Sequence, residues 1–246
     1  MSRHYLNARL TPDGHWQDFV PKLKDHILPR IKEILRQETT SHDDSIPPKA
    51  GLSALQCPNT ARNSIFFKSD RMYRHHLARF NYTTYDVRRS QDVINPGTSH
   101  RDIMLLADSD EDELTHPFLY ARVLGIYHVN VIYTGEGSPD YTARRVEFLW
   151  VRWFEHHKIV DWTDLSLDSI RFPPMADTGS FGFVDPKDVL RGCHIVPAFM
   201  KGKARADGIG LSRLARDAQD WSQYRVNRCV QILSTTSTVL VLMPEL

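Results

Sequence analysis

Cysteine is scarce in this chain and poorly placed for chemistry. Cys57, Cys193 and Cys229 are odd in number and contain no CxxC pair. That pattern argues for free thiols in a reducing compartment, and against both a disulfide framework and a structural zinc site. An excess of one charge is lacking too: 31 Lys and Arg face 30 Asp and Glu, leaving +1 at neutral pH. Global attraction to nucleic acid therefore has no basis, and such binding would need a local patch. No uninterrupted apolar run approaches the roughly 20 residues that span a bilayer. The polar start, Met1-Ser-Arg-His-Tyr-Leu-Asn-Ala-Arg9, has no apolar core of a secretory signal. The expectation is a soluble chain that is not secreted and has no membrane partner, in which the sequon Asn81-Tyr-Thr83 is a chance match. Also missing are a Walker-type phosphate loop, GxGxxG after a strand, and GxSxG. Asp207-Gly-Ile-Gly210 lacks the further glycine and the lysine that such loops need. No catalytic residue and no cofactor is expected.

What the chain does have is three dense apolar runs between Phe118 and Phe199. In the first, Ala121, Val123, Tyr127, Val129, Val131 and Tyr133 share one face, while Arg122, His128 and Asn130 share the other. That two-residue period describes a half-buried strand, with Gly125 as an expected bulge or bend. The second run, Arg144 to Glu155, sets Val146, Phe148 and Trp150 against Leu149, Val151 and Trp153, as in a central strand covered on both faces. The third, Phe181 to Phe199, contains Asp185-Pro-Lys-Asp188, a cap followed by Pro at the first position of a single helical turn through Leu190. Gly192 then frees the chain for a last strand, Cys193 to Phe199.

Ahead of these runs, Phe19, Leu23, Ile27, Ile31 and Leu35 recur every fourth residue and predict a helix over Phe19 to Gln37, capped by Asp18. Pro29 falls inside it and is expected to kink or split it. From residue 39 to 63 the periodicity is lost and a flexible linker is expected. Short strands follow at Ser64 to Phe67, Tyr82 to Val87 and Asp102 to Asp108, with a turn at Asn95-Pro-Gly97. Asp108 to Glu113 reads as a solvated acidic loop. Ser212 to Asp220 has the character of a short helix, and the low-charge end, Gln231 to Leu246, that of an edge strand or an aggregation-prone tail. The division expected is 1–38 helical, 39–63 linker, 64–200 β domain and 201–246 C-terminal extension. The fold class is mainly β (α+β): a small, curled, barrel-like β domain with an N-terminal helix and an irregular tail.

Three constellations invite chemistry. His75-His76 and His156-His157 suggest a metal, but neighbours on a strand point to opposite faces, so neither pair supplies two ligands to one ion and none is expected. Arg71, Arg74, Arg79, Arg88 and Arg89, interleaved with Tyr73, Phe80, Tyr82 and Tyr85, have the composition of a face that tracks phosphates while rings stack on bases. Asp70, Asp86 and Asp92 weaken that field, and a solvated sheet face is the plainer alternative. Finally, Tyr127, Trp153 and Phe154 with Glu155 and Asp185 have the residue types of an aromatic cage for a methylated lysine. Rings on central strands are otherwise simply core.

Ala121-Arg-Val-Leu-Gly-Ile126, Val151-Arg-Trp-Phe154 and Leu190-Arg-Gly-Cys-His-Ile-Val196 together resemble a bromo-adjacent homology (BAH) domain. They stand in the places of its Gly-containing entry strand, its V-x-W-F signature and its late I-x-G-K-C-x-V stretch. Cys193 follows Gly192 directly, without the family's lysine. The wider stretch, Asp70 to Asp217, is similar to the carboxy-terminal part of proteins carried by fungal CACTA-type transposons of the Plavaka kind and to a domain of plant En/Spm relatives. The resemblance implies a transposon-derived interaction module in the nucleus, binding chromatin, a histone tail or another protein, without the RNase H-like cutting domain. It also implies that the ending from Val230 arose by truncation or an altered reading frame. DNA binding through the Arg71 to Arg89 face is the alternative.

Overall fold

The fourfold spacing of Phe19, Leu23, Ile27, Ile31 and Leu35 builds one continuous helix, α1 (Phe19–Thr40), with all five side chains buried. In the computed structural model, which describes residues 3–5, 18–40, 58–83, 89–107, 116–138, 140–158, 167–227 and 239–244, Pro29 sits inside α1 without splitting it. Proline removes one donor from the ladder, a loss that the buried apolar stripe outweighs here. A second helix, α2 (Pro58–Asn63), occupies the end of the stretch expected to be a linker.

The remaining described elements are strands and brief 3₁₀ turns. In chain order the strands are β1 (Arg3–Tyr5), β2 (Ile65–Thr83), β3 (Arg89–Ile94), β4 (Asp102–Leu106), β5 (Phe118–Tyr133), β6 (Arg144–Trp153), β7 (Glu155–Lys158) and β8 (Ser169–Arg171). They continue with β9 (Phe181–Val184), β10 (Val189–Gly192), β11 (His194–Pro197), β12 (Tyr224–Asn227) and β13 (Val239–Pro244). The fold is mainly β, its paired strands are antiparallel, and among the described residues no barrel closes. No helix among them is long and apolar enough to cross a membrane.

The chain divides into two compact units that are interleaved in sequence. The smaller comprises Arg3–Tyr73 and His128–Glu147. Within it α1 is tied to α2 by the Arg62–Asp25 ion pair and to the start of β6 by Arg144, which donates to Glu38 at 2.6 Å and to Asp140 at 2.9 Å. Tyr73 stacks on His128, rings 4.7 Å apart and nearly parallel.

The larger unit, Arg74–Tyr127 and Phe148–Leu246, carries the candidate site. In its first sheet β4 lies between β5 and β10, β6 between β5 and β9, and β3 and β13 both pair with β2. The two-residue alternation of the strands generates two cores. Ile103, Leu105, Ala121, Val123, Leu149 and Val151 meet on one face with Ala78, Phe80 and Val184. On the other face Met104, Phe118, Tyr120 and Phe154 meet Ile170, Ile195, Tyr224 and Val226 of a second sheet, ordered β11-β12-β8-β7. After Trp153 the chain leaves the first sheet and resumes as β7 in the second, which is how one strand run serves both. The first sheet also curls: Arg191 of β10 donates to the Tyr82 hydroxyl at 2.6 Å, and the Gly192 N–H donates to the Asp92 carboxylate of β3 at 3.0 Å. Each of these two bonds uses a side chain on at least one strand.

The structure departs from some of these expectations. The first apolar run is not half-buried: Arg122 and His128 are 7% and 5% exposed, because both faces of β5 are covered there. Gly125 lies within β5, where an added Cβ would stand 2.3 Å from the Tyr127 ring. The helical turn stops at Asp188, short of Leu190, so Gly192 ends β10 and the expected last strand follows as β11; Ser212 to Asp220 forms turns and a single 3₁₀ turn at Asp217–Gln219. The Asp185 cap and Pro186 stand as read: the Asp185 carboxylate accepts the Lys187 N–H at 3.0 Å.

A self-filled aromatic box and the pocket beside it

Register places the first pair of charges. Asp102 and Arg122 are direct cross-strand partners of β4 and β5, on the face that looks toward the second sheet. Arg122 donates through Nε to Asp102 Oδ1 at 2.7 Å and through Nη2 to Oδ2 at 3.0 Å, a bidentate fork. Arg152 of β6 points the same way and donates to Asp220 Oδ2 at 2.5 Å, while Arg122 Nη1 lies 3.8 Å from Asp220 Oδ1. Burial alone would lower the Arg122 pKa, but the Asp102 carboxylate more than offsets it and keeps the guanidinium charged. Burial pushes Asp220 up against the pull of both arginines.

Rings enclose these cations. The Arg122 guanidinium lies 5.3 Å from the Phe154 ring, 5.0 Å from Phe172 and 5.3 Å from Tyr224, and Arg152 lies 3.9 Å from Phe172. Phe154 stacks on Phe172 at 4.0 Å and meets Tyr224 edge-on at 5.5 Å. An aromatic box with carboxylates therefore exists here, and its occupant is the chain's own Arg122. Each such contact contributes on the order of 0.5–2 kcal/mol when desolvated.

Outside the box opens a pocket of about 500 Å³. Its apolar wall is Phe172, Pro173, Met175 and Trp221; its charged wall is Arg152, Arg171 and Arg205 with Glu155, Asp217 and Asp220. Every charge has an opposite neighbour. Arg171 reaches Glu155 at 2.5 Å across the β7–β8 ladder, and Arg205 reaches Asp217 at 2.9 Å. Phe199, 63% exposed, sets its ring edge-on against Trp221 at 4.9 Å.

Asp217 also anchors the 207–217 loop. Burial alone would raise its carboxyl, but the Leu211 and Ser212 N–H groups, both 2.8 Å away, and Arg205 hold it below the usual range. A carboxylate whose folded pKa lies below its unfolded value of about 3.9 stabilises fully above that value and loses the contribution as pH falls through the folded pKa. Asp217→Asn should thus lower the urea midpoint at neutral pH, and the gap to wild type should close below about pH 4. A gap that stays constant from neutral to acid would show that the charge of Asp217 does not matter.

The residues singled out in sequence are spread over different surroundings. Phe154 belongs to the box and Glu155 to the pocket. Trp153, on the opposite face of the strand, packs against the other core with its indole over Gly182. Tyr127 is buried on Phe148 at 5.6 Å, its hydroxyl pushed up by burial, and Asp185 caps its turn. Of the basic face, Arg74 and Arg79 are half-buried in the larger unit and Arg71 half-buried in the smaller. Arg88 lies outside the described residues, and only the backbone of Arg89 is described, at the start of β3.

His75 is buried and His76 exposed, as opposite faces require. The His156 ring lies 4.0 Å from that of His116 and is tilted by 31° to it, and His116 Nε2 lies 3.2 Å from Asp168. Among the described residues no group of His, Cys, Asp and Glu is disposed to hold a metal ion. Burial pushes the Cys193 thiol well up, so it stays protonated at neutral pH. The acidic run Asp108 to Glu113 lies outside the described residues. Arg122, Arg152, Asp102 and Asp220 are specified by no motif in the sequence, although an arginine inside an apolar run on a twice-covered strand is itself a signal, because burial demands a partner. No family model matches the chain, and no curated protein or solved structure matches it.

Proposed function

We propose that this chain is a BAH-like, transposon-derived module that binds a segment of another protein, in chromatin, and performs no chemistry on it. The observation that supports this is the pocket beside the Arg122 box. Its charged groups are already matched to one another, while Phe172, Met175 and Trp221 offer apolar area at its wall and Phe199 and Met200 stand exposed at 63% and 102%. Exposed large apolar side chains grouped next to a concavity mark interaction surfaces. A catalytic pocket instead needs a nucleophile or base held poised for a reacting atom.

The test sets two assays side by side: a peptide array containing histone-tail and random segments, and a DNA mobility shift across a salt series. Selective retention of peptides with little DNA binding is the expected result. DNA retention that collapses by roughly 10³-fold or more between about 50 and 200 mM salt, without peptide selectivity, would favour the Arg71 to Arg89 face and sink the proposal.

A further inference from the structure

We infer that the pocket of the larger unit takes a peptide segment in which a carboxylate side chain stands beside a bulky apolar one; this rests on the binding role proposed above and adds the ligand's chemistry. Cationic ligands are disfavoured by what already fills the rings. An ammonium placed over Phe172 would meet Arg152 at 3.9 Å and Arg122 at 5.0 Å from the same ring. The buried carboxylates cannot draw it in either. Asp217, its side chain 3% exposed, accepts two backbone N–H groups and Arg205, and Asp220, 6% exposed, accepts Arg152 and the Tyr224 hydroxyl.

The accessible charges are Arg171, Arg205 and Glu155, and the Glu155 carboxylate, 40% exposed, is already engaged by Arg171. Arg171 is 51% exposed and Arg205 30%, each engaging its carboxylate through Nε. A guanidinium carries five N–H donors, so its outer edge remains for a ligand carboxylate. The Arg171–Glu155 pair is solvent-exposed, and such a pair is worth no more than about 1 kcal/mol, little enough for a ligand to compete. The pocket wall is neutral by residue count, but the segment that supplies Ala204 and Arg205 also carries exposed Lys201 and Lys203, and Lys203 bridges to Trp221. Over 199–211 Lys201, Lys203 and Arg205 outnumber the exposed Asp207, so that segment is net positive. On the same segment, Phe199, Met200, Ile209 and Leu211 are 58–102% exposed, which calls for an apolar neighbour in the ligand.

The experiment measures fluorescence anisotropy of labelled peptides of constant length on the full chain. A central Leu-Phe pair is flanked by Glu, by Gln or by Lys. The Glu peptide should bind at least about tenfold tighter than the Gln peptide, the scale of one charge-assisted contact, and the Lys peptide more weakly still. The double variant Lys201→Glu/Lys203→Glu, at exposed positions, should abolish the preference for Glu while leaving the thermal midpoint unchanged. Ala204→Trp, which fills the pocket from an exposed position, should abolish binding of every peptide. Equal binding of the Glu and Gln peptides, or tighter binding of Lys, overturns the inference and leaves the binding role standing. No binding of any peptide overturns both.

Discussion

Arg122→Met is expected to lower the unfolding free energy by about 3–5 kcal/mol, the cost of leaving buried charge uncompensated. Asp102 is 3% exposed and loses both arms of its fork, and Asp220, 4% exposed, keeps Arg152 and the Tyr224 hydroxyl but loses one of its cations. The methionine would regain some contact with Phe154, Phe172 and Tyr224 but none of the cation–π attraction. Arg122→Lys should be milder, because a point charge remains but cannot match a carboxylate with two parallel bonds. Combining Arg122→Met with Asp102→Asn should recover part of the loss, since one orphaned charge is gone. Urea midpoints at constant m-value measure all three. A loss within about 0.5 kcal/mol for Arg122→Met, the size of an ordinary surface change, would mean that the guanidinium is solvated and the box is not built around it.

Phe154→Ala should cost a similar amount, about 3–5 kcal/mol, by removing a buried ring and leaving a cavity. The ring is 7% exposed, stacked at 4.0 Å on Phe172, edge-on to Tyr224 and 5.3 Å from Arg122. Phe154→Leu keeps most of the volume and should cost about 1.5 kcal/mol. The informative quantity is the coupling between Phe154→Ala and Arg122→Met in a double-mutant cycle. Ring and guanidinium in contact should couple by about 0.5–2 kcal/mol, whereas independent sites add to within about 0.3–0.5 kcal/mol. Additive losses would reduce the box to two unrelated features of one core.

The difference between these two residues is instructive for what a strand pattern reveals. Phe154 stands out in sequence as an aromatic next to a carboxylate, and the structure places it on a cation, but on Arg122 and not on a ligand. Arg122 itself reads as a solvent-facing residue, because it alternates with Ala121 and Val123. The alternation is correct: Ala121 and Val123 join one core and Arg122 faces away from it. What lies over that second face is supplied by Phe172, Asp220 and Tyr224, from much later in the chain; Asp220 alone is 68 residues beyond Arg152. No local period can report such a cover. The pocket was equally hidden, since its walls come from Arg152 to Met175 and from Ala204 to Ser222.

By itself the sequence determined the features that a few neighbouring residues settle: α1 from its fourfold apolar spacing, the Asp185–Pro186 turn from its cap, the strand character of the three runs, and β6 as a strand buried on both sides. Tertiary structure alone decided that β5 is covered twice, that four charged residues close a ring-walled network, and that a pocket lies against it. Periodicity assigns a side chain to a face through the geometry of its own backbone, whereas solvation of that face depends on which distant strand packs there. For an arginine that choice separates a hydrated surface charge from a buried ion pair.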